Sequence, residues 1–198
     1  MKILSKVASA MILSTGLLMA SSYSVDNAHS NVGFTVKHMM VTNVHGKFTS
    51  YDAKVEFDDA TKTFKKLVAN IDTKSIDTGI EKRDNHLRSD DFFAVEKFPK
   101  MTFEMTSYKA DGDDGKMTGN LTIRGITKPV VLEVEDIAIL GDKVGFSLEG
   151  KINRQDFDLK WNKAIELGGV AVSDEVKIKV DIEAKKQSVR YKVGLPPL

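Results

Sequence analysis

From Glu175 to Ala184 the chain alternates without a break: Val176, Ile178, Val180, Ile182 and Ala184 are apolar, and every residue between them is charged. Side chains of a strand point alternately to opposite faces, so this segment predicts a strand with one greasy face and one solvated face. The pattern recurs at Val32, Phe34 and Val36, at Ala53, Val55 and Phe57, and at Met101, Phe103 and Met105. It returns at Leu121 and Ile123, at Val130, Leu132 and Val134, and at Val144, Phe146 and Leu148. Period-two alternation predicts half-buried antiparallel strands. Polar, Gly- and Asp-rich breaks at Asp58 to Lys62, Asp111 to Gly115 and Gly141-Asp142 predict the turns between them. One interior segment departs from the rule. From Thr78 to Asp90 the alternation fails, and Ile80, Arg83, Asp84 and Leu87 fall at helical spacing, which predicts one short surface helix.

With so little helix to cover them, the greasy faces must meet one another, in a two-sheet sandwich or a closed barrel. An outer-membrane barrel is excluded, because it turns its apolar residues outward and the second face here carries Lys, Glu, Asp and Thr. A closed barrel of about eight strands is either filled by side chains or wide enough for one ligand. Gly119 and Gly150 share the inward face with Leu121 and Leu148. Two readings stay open for them: they leave room inside, or they mark bulges where the sheet bends.

The N-terminus reads as an address. Lys2 and Lys6 precede an apolar stretch from Val7 to Met19, and small residues Ala20 and Ser22 stand where a signal peptidase would cut. A cleaved signal peptide over 1–22, with the cut before Tyr23, is the expectation; the stretch is short for a membrane span, so no stable membrane insertion is expected. Cleavage removes two lysines and takes the formal net charge from +1 to −1. That balance, with no long like-charged run, argues against nucleic acid or an anionic membrane surface as a partner. The remainder has the size of one domain, 23–186, followed by a poorly ordered tail over 187–198. There is no cysteine, hence no disulfide, thiolate metal site, cysteine-linked lipid or attached c-type haem.

Chemistry-bearing residues are few. The four histidines are His29, His38, His45 and His86. His38 falls on the inward face with Val32, Phe34 and Val36, where it could orient a ligand's polar end or cap the strand. The spacing fits no established zinc arrangement, so no metal is expected. Arg83, Asp84, His86 and Arg88 form a second polar group on the helix: an ion pair, a contact to an anionic head group, or a solvated face. No nucleophile elbow, phosphate-binding loop or dinucleotide fingerprint is present. The carboxylates are scattered over outward faces, so no catalytic residue and no cofactor is expected.

Several separated stretches together resemble the YceI-like family of periplasmic polyisoprenoid-binding proteins. They are Asp26-x-x-His29-Ser30 through Phe34, Val36 and His38; Gly46-x-Phe48; and Arg83-Asp84-x-His86-Leu87-x-Ser89-x-Asp91-Phe92-Phe93, with Phe98-Pro99 and Phe103. Further on come Gly119-x-Leu121-x-Ile123-x-Gly125-x-Thr127 with Pro129, Arg154-x-Asp156-Phe157, Trp161-Asn162 and Val172-Ser173-Asp174-Glu175-Val176. One position departs: the family commonly has glycine after Asp-Phe, and here Asp158 stands there. Aspartate tolerates a positive φ better than most residues. The resemblance implies an all-β, lipocalin-like antiparallel barrel with an apolar tunnel, a bound isoprenoid or quinone-type lipid, a periplasmic location and a homodimer. On it, Phe34, Val36, Phe48, Phe92, Phe93, Phe103, Leu121, Phe146 and Trp161 are the candidate lining, and His38, Arg83, Asp84 and His86 the candidate polar end. Two other functions compete with a carrier: an enzyme acting on a lipid head group through His38 and the Arg83 group, and a ligand-free interaction module working through its outer faces or an edge strand.

Overall fold

A computed structural model of the protein describes residues 20–164 and 171–188. Its strands are β1 (Ser21–Val25), β2 (Asn31–His38), β3 (Thr42–Phe48), β4 (Tyr51–Asp58), β5 (Thr63–Asp72), β6 (Ile76–Asp77), β7 (Lys100–Asp111), β8 (Asp114–Ile123), β9 (Ile126–Leu140), β10 (Lys143–Asn153) and β11 (Val172–Lys186). The helix α1 spans Glu81–Arg88, inside the window where alternation failed. Most of the expected signal peptide and of the expected tail lies outside the described residues. β1 starts upstream of the expected cut, with Ser21 and Ser22 paired to Phe57 and Glu56.

Eight strands close the barrel, all pairs antiparallel, in the order β1-β4-β5-β7-β8-β9-β10-β11 and back to β1. The expected lipocalin-like closed barrel is therefore found, and the sandwich is not. β11 is 15 residues long and serves two neighbours on one edge. Its last residues pair with β1, and the stretch from Val172 to Asp181 pairs with β2. β2, β3 and β6 continue from that edge as a flap.

Alternation foretold β2, β4 and β7 to β11 but not β1, β3, β5 or β6. The reasons are local. In β5 the inward residues Phe64 and Leu67 are three apart, because the β4–β5 register slips between Glu56 and Phe57; such a bulge breaks the period of two. In β3 the inward face reads Val44, Gly46, Phe48, and the glycine hides the pattern. Gly46 lies directly opposite Phe34, whose ring occupies the space that a Cβ would need.

The end of the barrel carrying the β4–β5, β7–β8 and β9–β10 turns is packed solid. Phe64 sits at the centre of an aromatic cluster, with ring centroids 4.9 Å from Phe57, 5.0 Å from Tyr108 and 4.8 Å from Phe146. Tyr23, Val144, Val134 and Met117 complete this plug with almost no exposure.

The seam at β1 is held by one carboxylate. Asp59 accepts from the Tyr23 hydroxyl at 2.6 Å and from Lys186 Nζ at 2.7 Å. Burial opposes ionisation of Asp59, but the hydrogen bonds from Lys186 and Tyr23 prevail and hold its carboxyl below the usual range. Burial, reinforced by the same bond, raises the Tyr23 hydroxyl. A depressed carboxylate pKa stabilises the fold above the unfolded value near pH 4, and that stability is lost as pH falls through the folded value. The site is partly solvated, so the effect is modest. Asp59→Asn is expected to cost about 1 kcal/mol at pH 7, a drop in melting temperature of about 2–4 °C for a domain of this size. The gap between variant and parent in melting temperature should narrow as pH is lowered below about 4.

Candidate ligand-binding site

Beyond the aromatic plug the barrel is hollow. A cavity of about 210 Å³ is walled by inward residues of β2, β4, β5 and β7 to β11, together with Leu87 of α1 and Phe92 and Phe93 after it. Five inward positions of β11, Val172, Val176, Ile178, Val180 and Ile182, lie along it. Ten residues of strand extend about 33 Å, which a tilt of 35–45° shortens to about 25 Å along the barrel axis. The cavity is thus a slender tunnel. Val32, Phe34, Val36, Val176, Ile178 and Val180 point inward yet are only half-buried, because what they face is empty space.

Glycines shape the bore, though not as bare room. Gly119 sits opposite the β7 bulge between Met105 and Ser107, and the Phe103 ring lies against it; a Cβ at this position would collide with that ring. Leu132 covers Gly150 in the same way. These residues let large side chains lie down against the wall, and the tunnel axis stays clear.

The other end is roofed by α1 and the segment up to Phe98. Arg88 ties it to the flap, donating to the carbonyl oxygens of Lys74 at 2.9 Å and Ile76 at 2.7 Å. Arg124, at the β8–β9 turn, donates to the carbonyls of Asp90 and Phe92.

Of the lining candidates, Phe34, Val36, Phe48, Phe92, Phe93, Phe103, Leu121 and Phe146 lie on the tunnel wall. Trp161 does not. It packs behind the wall, its ring 4.8 Å from His86 and 5.3 Å from Phe92.

None of the four polar candidates reaches the wall. His38 ends β2 beside Thr42 and Val172, exposed to solvent, because the strand has run past the barrel rim. Arg83 and Asp84 converge on Thr78 instead of on a ligand. Asp84 is buried and accepts from the Thr78 N–H and hydroxyl, while Arg83 Nε donates to the same hydroxyl at 2.7 Å and its Nη2 to the Thr78 carbonyl at 2.9 Å. This cluster pins the start of α1. His86 is wedged edge-on against Phe92 and Trp161 and bonded to Asp91 at 2.9 Å.

Among the described residues, the charged ones that do line the tunnel are Asp52 and Arg154, and neither was a sequence candidate for the site, although Arg154 stands in one of the family motifs. Asp52 is exposed and accepts from Asn70 at 3.0 Å. Arg154 is 3% exposed. Its guanidinium donates to the carbonyls of Ser173, Leu159, Trp161 and Val172 and to Asp174 Oδ1. Burial pulls its pKa below the ordinary arginine value, against the opposing field of Asp174. Every donor has a partner, so Arg154 laces two chain segments together and presents no free charge to the tunnel. Just beyond it, Asp158 has φ of 59°, the left-handed conformation that explains why glycine is usual there.

Among the described residues one group could offer three metal-ligand atoms, Asp26, His29 and Glu183, all within 4.8 Å. The His29 hydrogen bond holds the Asp26 carboxyl low. Lys143 already neutralises Glu183 at 2.6 Å, and the site lies outside the tunnel wall. No described helix is long and apolar enough to cross a membrane.

Comparison with known proteins agrees with this architecture. A YceI-like domain matches residues 23–184. The protein YceI of Salmonella newport strain SL254 is 36% identical over 184 residues, covering 89% of this chain and 93% of its own. A Campylobacter jejuni YceI protein of known structure is 42% identical, with a TM-score of 0.68 over 84% of this chain and 98% of its own. BcnA of Burkholderia cenocepacia superposes with a TM-score of 0.73 at 29% identity, covering 81% and 99%. A polyisoprenoid binding domain from Saccharophagus degradans, implicated in plant cell wall breakdown, shares the fold at a TM-score of 0.62 and 16% identity, covering 85% and 99%. By its eight-stranded barrel, its motif order and a domain match spanning nearly all of the described residues, the chain belongs to the YceI-like family.

Proposed function

We propose that the protein is a periplasmic carrier that holds the hydrocarbon chain of an isoprenoid or quinone-type lipid in the barrel tunnel and does no chemistry on it. The observation that carries this reading is the inward apolar face of β2 and β11, left half-buried around a cavity with almost no polar group in its wall. Few convergent polar groups in an apolar pocket favour uptake of an apolar molecule. The bore, about 210 Å³, is below the usual range for compact ligands of about 300–1,000 Å³, which favours a single thin chain with its head group at the rim. Ten buried methylene equivalents would contribute about 8 kcal/mol before the cost of association. The shared fold with a domain described as binding polyisoprenoid supports the same ligand class.

The head-group enzyme gains no support from the geometry. His38, Arg83, Asp84 and His86 are exposed at a strand end or engaged with neighbouring groups, and among the described residues no histidine faces a carboxylate across the tunnel wall. The periplasmic address rests on the N-terminal leader, and the homodimer on the family resemblance; N-terminal sequencing and light scattering of the secreted protein test them.

The carrier reading is tested by native mass spectrometry of protein recovered from the periplasm of its own host, followed by organic extraction. An apolar ligand recovered chemically intact is expected. Protein that is empty, and that takes up no polyprenol or quinone from micelles, would overturn it.

A further inference from the structure

Between β2 and β3 the chain exposes three consecutive apolar side chains: Met39 is 42%, Met40 61% and Val41 78% exposed. The turn is closed by the Val41 N–H donating to the His38 carbonyl at 3.1 Å, with φ of 51° at Met39 and 59° at Met40. Within this three-residue connection, with His38 paired to Thr42, the two central turn positions both have positive φ, a conformation that favours Asn-Gly. Methionine there is strained and gains no burial in return. Two residues that neither fit the turn nor fill the core suit a contact outside the molecule.

The tip stands at the tunnel's end. His38 pairs with Val172, and Val36 pairs with Val176; Val36, Val172 and Val176 are all on the tunnel wall. The Met39 N–H bonds the Ala171 carbonyl, and the Ala171 N–H bonds the Lys163 carbonyl, both at 2.9 Å. The apolar tip is therefore flanked by the exposed cations Lys37 and Lys163, which make no ion pair among the described residues. Among the described residues the nearby acids are paired: Asp174 with Arg154 at 3.2 Å and Glu175 with Lys151 at 3.3 Å.

We propose that the β2–β3 tip is a membrane-docking element: Met39, Met40 and Val41 enter the interface of a phospholipid bilayer, with Lys37 and Lys163 against anionic head groups, so that a lipid passes between bilayer and tunnel. This rests on the reading that the tunnel takes a lipid. The near-neutral chain gives no long-range pull toward an anionic surface, so the contact is short-lived and local, unlike stable insertion. Flexible methionines suit it, since they adapt to irregular apolar surroundings.

The test is Met40→Asp with Val41→Asp in the full chain. Transfer of a fluorescent polyprenol analogue is followed from vesicles of phosphatidylcholine with about one quarter phosphatidylglycerol, and equilibrium uptake of the same analogue is measured from detergent micelles without vesicles. The expected result is transfer slowed about tenfold, reduced co-sedimentation with vesicles, and unchanged uptake from micelles. Unchanged transfer and co-sedimentation with normal uptake would overturn the docking proposal alone. A parent protein that takes up no analogue would overturn the tunnel reading beneath it. Tip substitutions that weaken dimerisation with no change in vesicle binding would assign the tip to a second copy of the chain and overturn the proposal. Lys37→Ser with Lys163→Ser, expected to slow transfer only from vesicles containing phosphatidylglycerol, supplies a second reading that does not touch the turn.

Discussion

Ala69→Trp is expected to give a folded barrel that no longer takes up a long apolar chain. Ala69 pairs with Ala53 on one side and Phe103 on the other, and Ala53, Ala69 and Phe103 all lie on the tunnel wall. An indole there has open space to enter, in contrast to the plugged end, where Phe57 and Phe64 leave none. If it displaces about five carbons of the ligand, the loss is about 4 kcal/mol, or about a thousandfold in affinity. Gain from added burial and strain from crowding offset each other, so the unliganded melt should shift by no more than about 1–2 kcal/mol. Lys54→Trp, on the exposed outer face of the adjacent strand, is the matched control and should bind normally. Titration of the fluorescent analogue from micelles reads both. Undiminished affinity in Ala69→Trp would mean the ligand does not occupy the tunnel.

Arg154→Met should cause the largest loss of stability of any single substitution considered. The side chain is 3% exposed and satisfies four backbone carbonyls and one carboxylate. Methionine fills similar volume but takes the guanidinium donors from the Ser173, Leu159 and Trp161 carbonyls in a site that water barely reaches, while the Val172 carbonyl keeps its bond from Asn162 Nδ2 at 2.8 Å. Orphaned buried acceptors cost about 1–3 kcal/mol each where no relaxation occurs, and removing a buried charge from its partners typically costs about 3–5 kcal/mol. A loss of about 4 kcal/mol, or about 8–16 °C in melting temperature, is the expected result. Lysine should recover less than half of it, since an ammonium cannot span acceptors placed around a planar fork. Because Leu159 and Val172 on the tunnel wall hang from this guanidinium, ligand retention should fall along with stability. A loss below about 1 kcal/mol would show that the segments hold together without it.

Which apolar residues line the tunnel wall was largely legible in the chain, and where the polar candidates come to lie was not. Phe34, Val36, Phe103, Leu121 and Phe146 follow from alternation alone, because facing is a local property of a strand. Phe48, Phe92 and Phe93 needed the family motifs, since their segments alternate poorly or lie outside strands. Trp161 shows the limit of that route: it stands in a motif, yet its place is against His86, far earlier in the chain. A polar side chain takes its role from whichever partner the fold brings to it. Arg83 and Asp84 were candidates for an ion pair or a head group, and the fold supplied Thr78 to both. Arg154 stood in a family motif, but nothing in the residue pattern gave it a role, since its acceptors are mostly backbone carbonyls, and every residue carries one.

What the chain alone determined is an antiparallel barrel with its greasy faces turned inward. Period-two alternation is written residue by residue, and apolar surface leaves water wherever it finds a partner. Whether that interior is filled or hollow was decided only in three dimensions. It is both: solid around Phe64, where Phe57, Tyr108 and Phe146 meet from three different strands, and open along β11, with Phe34 and Phe103 each set against a glycine of the neighbouring strand, Gly46 and Gly119. An enclosed volume depends on how distant strands close and on which side chain finds a glycine to lie against, and neither is a property of any one stretch of sequence.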